Sequence, residues 1–404
     1  MQEVTAAWEQ TNRDSFTRPA NMALSFECTD GTSPIVSSSR LISFNYNKSG
    51  DPLSGILTQD TINFVFDNSD GRFTYDPEND KFTGASVLVQ CGFMTPTYDS
   101  YDGINGGLYY VTDADSKNSR TSFTAKTIIA FMQDTVDDMS GTCSEVVADI
   151  IELANANDGV PSSNIQYELD SSLDSVDVEI RKSDNYSQAE VLQLIANACG
   201  CVLYVDRTGK ICIKKLEQYT EHYVISGKIS YEFPKVKMLE KIGRVKFYFD
   251  HGSGYGVTQI RPGAIQTVTN PIIVDDFDAM ETMNNIYAFQ QIARKRITGN
   301  FRADPRIDLF DVVAVPYLDK VIAGCITKIN FTFNGAWRGT YEAVEIPNAE
   351  LDLRICDLEM LTIKQLESLR IEQLHPNTIS DVDGDYLASS NGELAFWKED
   401  VNNA

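Results

Sequence analysis

The feature that most constrains this chain is a succession of short apolar runs, each ended by a cluster of Gly, Asp, Asn, Ser or Pro. The runs are rich in aromatic and β-branched residues, which at this spacing is typical of strands in a barrel or sandwich. In the first third of the chain they are residues 21–30, 38–47, 60–69, 85–93, 106–115 and 120–129. We therefore predict a β domain there.

One acidic stretch interrupts this pattern, "FDNSDGRFTYDP" at residues 66–77. It could be a metal or proton-transfer site, or only a corner between two strands. Asn and Asp bond their own backbone in turns and Gly supplies positive φ, whereas a metal ion needs several converging oxygens. Because Phe73 and Tyr75 resume an apolar face directly afterwards, we predict a corner.

Near residue 130 the apolar spacing changes from alternating to helical. Residues 143–157 place apolar side chains on one helical face, with Ser144 as the expected N-cap and Gly159 as the expected stop. Residues 187–200 repeat this design behind Ser187. Two alternating runs then flank "DRTG", which predicts a hairpin. These elements together predict a small α/β module.

A second β-rich region follows. The stretch 241–262 predicts a hairpin, and 277–298 predicts a helix with acids early and "RKR" late, as the helix dipole favours. Further strands are expected at 306–318, 321–335 and 337–347. Residues 350–374 should begin as a strand and end as a helix.

Length and charge narrow the classes of function. The chain has 404 residues, too many for one ordinary core, and its net charge is −24. Such an excess of acids disfavours binding to a phosphate backbone and suits a partner with a basic patch. No stretch approaches the ~18 apolar residues of a membrane helix, and the first residues lack a Sec signal. We expect neither nucleic-acid binding nor membrane insertion.

The cysteines and histidines offer no recognisable catalytic or metal motif. Cys199 and Cys201 form a CxC, but no second pair at zinc spacing accompanies it, so we expect buried free thiols in a reducing cytosol. The eight cysteines are Cys28, Cys91, Cys143, Cys199, Cys201, Cys212, Cys325 and Cys356. The histidines His222, His251 and His375 do not pair at metal spacing, and neither GxSxG nor HExxH occurs. We predict no catalytic residue, cofactor or metal site.

Two further motifs are weak. "GSGYG" at 252–256 lies between two strands rather than between a strand and a helix, so it predicts a hairpin tip and not a dinucleotide site. Asp381, Asp383 and Asp385 occupy positions 1, 3 and 5 of a possible calcium loop. The loop lacks Gly at position 6 and Glu at position 12, which favours a solvated linker and leaves calcium binding open.

Three stretches together resemble the hub proteins of phage-type tails, both the baseplate hub of contractile tails and the N-terminal hub region of tail-tip proteins. "GDPLSGILTQDTINFVFDNSDGRFTYDP" (50–77) is similar to the family's strand and "DNxDGxF"-type corner. "YSQAEVLQLIANACGCVLYVDRTGKICIKK" (186–215) is similar to the helix and hairpin module between the family's two barrels. "ITGNFRADPRIDLFDVVAV" (297–315) is similar to the segment that re-enters the second barrel. The resemblance covers roughly residues 20–360.

The resemblance implies a mainly β fold with α+β elements, in which two hub-type β-barrel domains flank the α/β module. The expected domains are a first barrel at 1–135, the module at 136–235, a second barrel with an inserted helix at 236–360, and a C-terminal helix and polar extension at 361–404. It also implies a homotrimer without enzymatic activity, located in the virion tail and assembled in the host cytoplasm. Its partners would be the tail tube or distal tail protein, the spike or tip protein, and the C-terminus of the tape-measure protein.

Two alternatives come from other classes of protein. A host-receptor or glycan-binding tail protein would bind cells by itself, although only three dispersed tryptophans are present. A cell-wall hydrolase component would need a catalytic domain, for which the hub-like modules leave no room. Abundant acids make any single carboxylate pair uninformative about glycoside chemistry.

Overall fold

The computed structural model describes residues 4–5, 8, 20–94, 101–216, 223–225, 229–317, 320–346, 386–390 and 393–397. The α-helices in this part of the chain are α1 (Cys143–Asn155), α2 (Gln188–Ala198) and α3 (Asp276–Ile292). The strands are β1 (Ala20–Glu27), β2 (Ile35–Ser37), β3 (Leu41–Ser49), β4 (Gln59–Asp67), β5 (Ser86–Met94), β6 (Tyr101–Lys117), β7 (Arg120–Lys126), β8 (Met139–Thr142), β9 (Tyr167–Leu169), β10 (Asp177–Ile180), β11 (Val202–Val205), β12 (Ile211–Lys214), β13 (Tyr223–Val224), β14 (Lys235–Met238), β15 (Ile242–Phe249), β16 (Gly254–Val257), β17 (Ala264–Thr269), β18 (Lys295–Phe301), β19 (Val312–Tyr317), β20 (Lys320–Phe333), β21 (Trp337–Glu345), β22 (Tyr386–Ser390) and β23 (Glu393–Trp397).

The largest sheet joins strands from the beginning and the end of the chain. Its order is β14-β18-β21-β20-β3-β4-β7-β6-β5-β1-β2; β19 pairs with β20, and β13 pairs with β19. The two sets of strands meet where β3 pairs antiparallel with β20, with Phe44 opposite Phe333 and Ser49 opposite Lys328. The predicted mainly β fold is confirmed, whereas the number of barrels and the domain bounds stay predictions.

The strands predicted in the first third are confirmed, and an aromatic cluster forms the core behind them. Every second residue of β4 is buried, because alternate side chains of a strand point to one face. Phe64 and Phe66 stack on Phe123 with ring centroids 5.4 Å apart in each pair. Phe26 meets Phe123 at 5.5 Å.

The acidic stretch after β4 is a corner, as predicted. The side chain of Asn68 accepts a hydrogen bond from the amide of Phe73 (2.9 Å) and donates to the hydroxyls of Thr74 and Thr121 (3.1 Å each). Gly71 takes the positive φ that the turn requires, +73°. The polar residues of this stretch therefore serve the turn and bury Phe73, which is 3% exposed.

The α/β module contains both predicted helices, but both ends of the first differ from the prediction. The expected stop Gly159 is wrong, because α1 ends at Asn155 with Ala156 as its C-cap. The expected N-cap Ser144 is wrong, because Ser144 already lies in the first turn of α1. The cap is Thr142, which forms a reciprocal capping box with Glu145. Ser187 caps α2 as predicted, and the expected hairpin forms from β11 and β12.

A separate three-stranded sheet, β16-β15-β17, packs against α3. The predicted hairpin is confirmed, and "GSGYG" lies at its tip. The prediction that α3 runs to residue 298 is wrong, because the helix ends at Ile292 and Lys295 begins β18. Ile297 and Phe301 then alternate into the core of the large sheet, both 0% exposed, so "RKR" does not end a helix.

Near the C-terminus the structure describes only a hairpin of β22 and β23. The predicted C-terminal helix and the aspartates Asp381, Asp383 and Asp385 lie outside the described residues. No described helix combines the length and the hydrophobicity needed to cross a membrane.

Candidate functional site

Four charged side chains from distant parts of the chain meet in the interior where the α/β module contacts the large sheet. They are Lys48 on β3, Asp60 on β4, Arg207 in the β11–β12 turn, and Asp308 in the loop before β19. Their side chains are 3%, 1%, 11% and 21% exposed, in that order. Charged side chains usually lie at the surface and are rarely buried unless they are paired. A buried cluster of four is therefore unusual.

Strand alternation explains why two of these charges point inward. Lys48 continues the buried face of Phe44 and Tyr46 on β3, and its register partner on β4 is Asp60. Asp60 in turn begins the buried face that Ile62 continues. Because neighbouring strands place register partners on the same side of a sheet, the two charges come together at one end of the core.

Asp308 is the centre of the cluster. One carboxylate oxygen lies 2.9 Å from Lys48 Nζ, and the other lies 3.0 Å from Arg207 Nε. Arg207 also donates to the carbonyl oxygens of Asn105 on β6 and of Ile307, both at 3.0 Å. One guanidinium therefore connects the module to an early strand and to a late loop.

Asp60 occupies a different position in the same cluster. Its Oδ2 lies 3.7 Å from Lys48 Nζ, beyond hydrogen-bond distance. Within the described residues neither carboxyl oxygen of Asp60 has a hydrogen bond, although both are buried. A buried carboxylate without hydrogen bonds is costly in its charged form.

The pKa values follow from this geometry. Burial raises the pKa of Asp308, but the charges of Lys48 and Arg207 outweigh burial and hold that pKa well below its usual range. Burial raises the pKa of Asp60 to about 7, since Lys48 offsets only part of the cost and Asp308 adds to it. Burial lowers the pKa of Lys48, but Asp308 and its neighbours raise it overall. Near neutral pH, Asp60 is thus the group that changes charge.

A buried carboxyl group with a raised pKa can serve as a catalytic acid or base when it lines a cavity. Two cavities, of about 260 Å³ and about 490 Å³, lie instead over β18, β20 and β21, and none of the four charged residues lines them. In the part of the chain that the structure describes, no group of three or more His, Cys, Asp or Glu is arranged to hold a metal ion. What the contacts of the cluster show is that it joins β3, the β11–β12 turn and the loop before β19.

A second set of buried hydrogen bonds joins the loop between β3 and β4 to the module. Thr58 donates its hydroxyl to the carbonyl of Leu203 (2.5 Å), and Leu203 donates its amide to the hydroxyl of Ser54 (3.1 Å). Gln193 of α2 donates to the carbonyl of Ser54 (2.6 Å). Ser54 adopts a left-handed φ of +49°, which orients both of its groups towards the module.

The sequence had not singled out these charges, but each of the three hub-like stretches supplies one of them. Asp60 lies in the first stretch, Arg207 in the second and Asp308 in the third, and Lys48 precedes the first by two residues. The sequence signal that could have found them is a charged residue at an inward position of an alternating strand, as at Lys48.

None of the described histidines and cysteines belongs to the charge cluster. His251, in the turn that connects β15 to β16, lies 2.7 Å from Asp184, whereas His222 and His375 lie outside the described residues. The seven described cysteines are buried free thiols, and Cys356 lies outside the described part of the chain.

The arrangement of these elements is shared by solved tail proteins. A tail protein from Neisseria meningitidis superposes with a TM-score of 0.53 at 12% identity, covering 80% of this chain and 96% of its own. The prophage MuSo2 tail protein from Shewanella oneidensis gives 0.53 at 11% identity, covering 82% and 98%. A prophage tail protein from Listeria monocytogenes gives 0.51 at 13% identity, covering 86% and 98%.

At these identities the likeness establishes the fold. The chain has the fold of these phage tail proteins over most of its own length and nearly all of theirs. No family model matches the chain, and no curated protein matches its sequence.

Proposed function

We propose that this chain is a structural hub protein of a phage tail or of a phage-like particle. The observation that carries the proposal is that its fold matches those of three tail proteins over 96–98% of their length. The buried cluster supports a structural role as well, because it fastens the module between early and late strands and lines neither described cavity.

The proposed assembly is a homotrimeric ring that joins the tail tube to the spike or tip. Each subunit would supply two barrel domains, from residues 1–135 and 236–360, so that three subunits present six similar units to a sixfold tube. The α/β module at 136–235 would lie between them. The connection of β3 to β20 supports this proposal, since it holds the two strand sets of one subunit in a fixed relation.

The proposed partners are the tail tube or distal tail protein, the spike or tip protein, and the C-terminus of the tape-measure protein. The protein would act in the virion tail after assembly in the host cytoplasm, without enzymatic activity. We propose that the segment from about residue 376 contacts one of these neighbours. Normal particle assembly with a chain truncated at residue 375 would argue against that contact.

Light scattering on the purified chain, with negative-stain images of the same fraction, tests the assembly. We expect threefold rings of about 135 kDa, three times the 45.0 kDa chain. If the chain stayed monomeric alone and also with the distal tail and spike proteins of its own particle, the hub proposal would be wrong.

One observation favours a second candidate, a receptor- or glycan-binding tail protein. The cavity of about 490 Å³ has a mostly apolar surface, and Tyr231, Asn330 and Arg338 in its lining could stack on a sugar ring or bond its hydroxyls. Binding of the labelled chain to host cells, lost in an Arg338→Ala variant, would support this candidate. Clearing of peptidoglycan in a zymogram would instead support a hydrolase component.

A further inference from the structure

The small sheet β16-β15-β17 has one covered face and one open face. Val245 and Phe247, both 0% exposed, point towards α3, so the alternate residues of β15 point the other way. The side chains of the open face form what we call the basic apolar face, which consists of Arg244, Lys246, Tyr255, Val257 and Ile265. Tyr255, Val257 and Ile265 are 52%, 40% and 54% exposed.

These side chains are neighbours across the strands. Val257 is the register partner of Lys246, and Ile265 is the partner of Arg244. Tyr255 lies against Tyr248 with ring centroids 5.2 Å apart. Exposed apolar and aromatic side chains grouped in this way are typical of protein interfaces.

Within the described residues, the cations of this face lack an ion-pair partner and the outer strands lack a further neighbour. Neither Arg244 nor Lys246 forms an ion pair with an acid in the described part of the chain. Among the described strands, none pairs with the outer edge of β16 or of β17. Residues 235–263 contain six Lys or Arg and two Asp or Glu in a chain whose net charge is −24. A partner that fits this face carries acidic side chains.

Such a surface exists elsewhere on the same chain. On α1, Glu145, Asp149 and Glu152 recur at helical spacing and are exposed, and Leu153 beside them is 48% exposed. We call these four residues the acidic helix face. Residues 134–184 around it contain 13 acidic and two basic residues.

We propose that the basic apolar face of one copy binds the acidic helix face of the next copy around a ring, an inference that rests on the proposed ring assembly. Lys246 and Arg244 pair with the acids of α1, and Leu153 packs among the exposed apolar side chains. Charge complementarity of this kind orients partners and fixes their register. The two surfaces are different patches of one chain, so the contact is head-to-tail, which is the type of contact that closes rings.

Charge reversal tests this contact in the full-length chain. We expect Lys246→Glu and Glu152→Lys each to raise the ring dissociation constant at least tenfold, measured by mass photometry across a concentration series. The double variant, which restores opposite charges, should recover most of the loss. Lys117→Glu, an exposed lysine at the β6–β7 turn, serves as the matched control and should leave the constant unchanged.

The outcomes separate this inference from the proposed function. If the wild type forms rings and neither single variant weakens them, the contact is wrong and the hub proposal stands. If the singles weaken the rings but the double variant does not recover, the basic apolar face binds a surface other than α1, and the inference is overturned. If the wild type forms no ring even with its tail partners, both the proposed contact and the hub proposal are wrong. Unchanged melting temperatures of the variants would show that each is folded.

Discussion

The aromatic core behind β4 and the charge cluster beside it share strand β4 but are stabilised in opposite ways. In the core, Phe64, Phe66 and Phe123 stack on one another and are at most 2% exposed. In the cluster, Lys48 and Asp308 form a buried ion pair, and either charge without the other would destabilise the fold. The core therefore holds one set of strands together, whereas the cluster decides how three separate segments meet.

The largest expected effect comes from the core. Phe64→Ala should lower the free energy of unfolding by about 3–5 kcal/mol, because it leaves a cavity among stacked rings that cannot collapse. Urea denaturation followed by tryptophan fluorescence and by circular dichroism measures the loss. Both signals should shift together, since the core is shared by the strands on either side. A change below about 1 kcal/mol would show that the cluster, and not the core, limits stability.

Asp308→Ala tests the cluster and should cost nearly as much, about 3 kcal/mol, because it leaves the charges of Lys48 and Arg207 buried without their acid. Here the effect should be local. Hydrogen exchange should increase first in the β11–β12 hairpin and in the loop before β19, while β4 and β7 stay protected. The matched control is Asp113→Ala, on the exposed face of β6. Asp311→Ala is unsuitable as a control, because the Asp311 carboxylate accepts a hydrogen bond from the amide of Asp308. Uniform loss of protection would contradict a joining role.

The two regions also differ in how far the sequence predicts them. Alternation placed Phe64 and Phe66 inside a strand, and Ser187 at the start of a helix, because both signals act over a few residues. Lys48 and Asp308 lie far apart in the chain, so no local pattern could bring them together. The end of α3 was predicted wrongly for a similar reason. The sequence "RKR" suits the end of a helix locally, but these residues pair with β14 and β21 as part of β18.

The pH dependence of stability should come from Asp60, an intermediate effect. Its folded pKa of about 7 lies above the ordinary value near 4, so folding favours its protonated form. Its contribution is therefore full below about pH 4 and is lost as pH rises towards and through 7. Asp308 has the opposite sign, since its lowered pKa stabilises the fold above about pH 4.

Asp60→Asn isolates the contribution of Asp60 to the pH dependence of stability, since Asn is similar in shape but does not titrate. Between pH 5 and pH 8 the wild type should lose on the order of 2 kcal/mol relative to the variant, measured by denaturation at a series of pH values. Parallel curves for the two proteins would mean that Asp60 titrates normally and that the cluster is not sealed from water.

The smallest expected loss of stability comes from removing the N-caps of the module helices. The cap of α2 was predicted correctly from the sequence, and the cap of α1 was not. Ser187→Ala should cost about 1 kcal/mol, because it removes the hydroxyl that accepts the amide of Glu190. Thr142→Ala should cost a similar amount at α1. Ser144→Ala should be neutral within about 0.5 kcal/mol, since alanine is a good helix former and Ser144 lies inside the first turn. Thermal unfolding curves of the three variants show whether Thr142 or Ser144 caps α1. If Ser144→Ala were instead as costly as Thr142→Ala, the side chain of Ser144 would share the capping through its contact with the Thr142 hydroxyl at 3.1 Å, and the two residues would have to be treated as one cap.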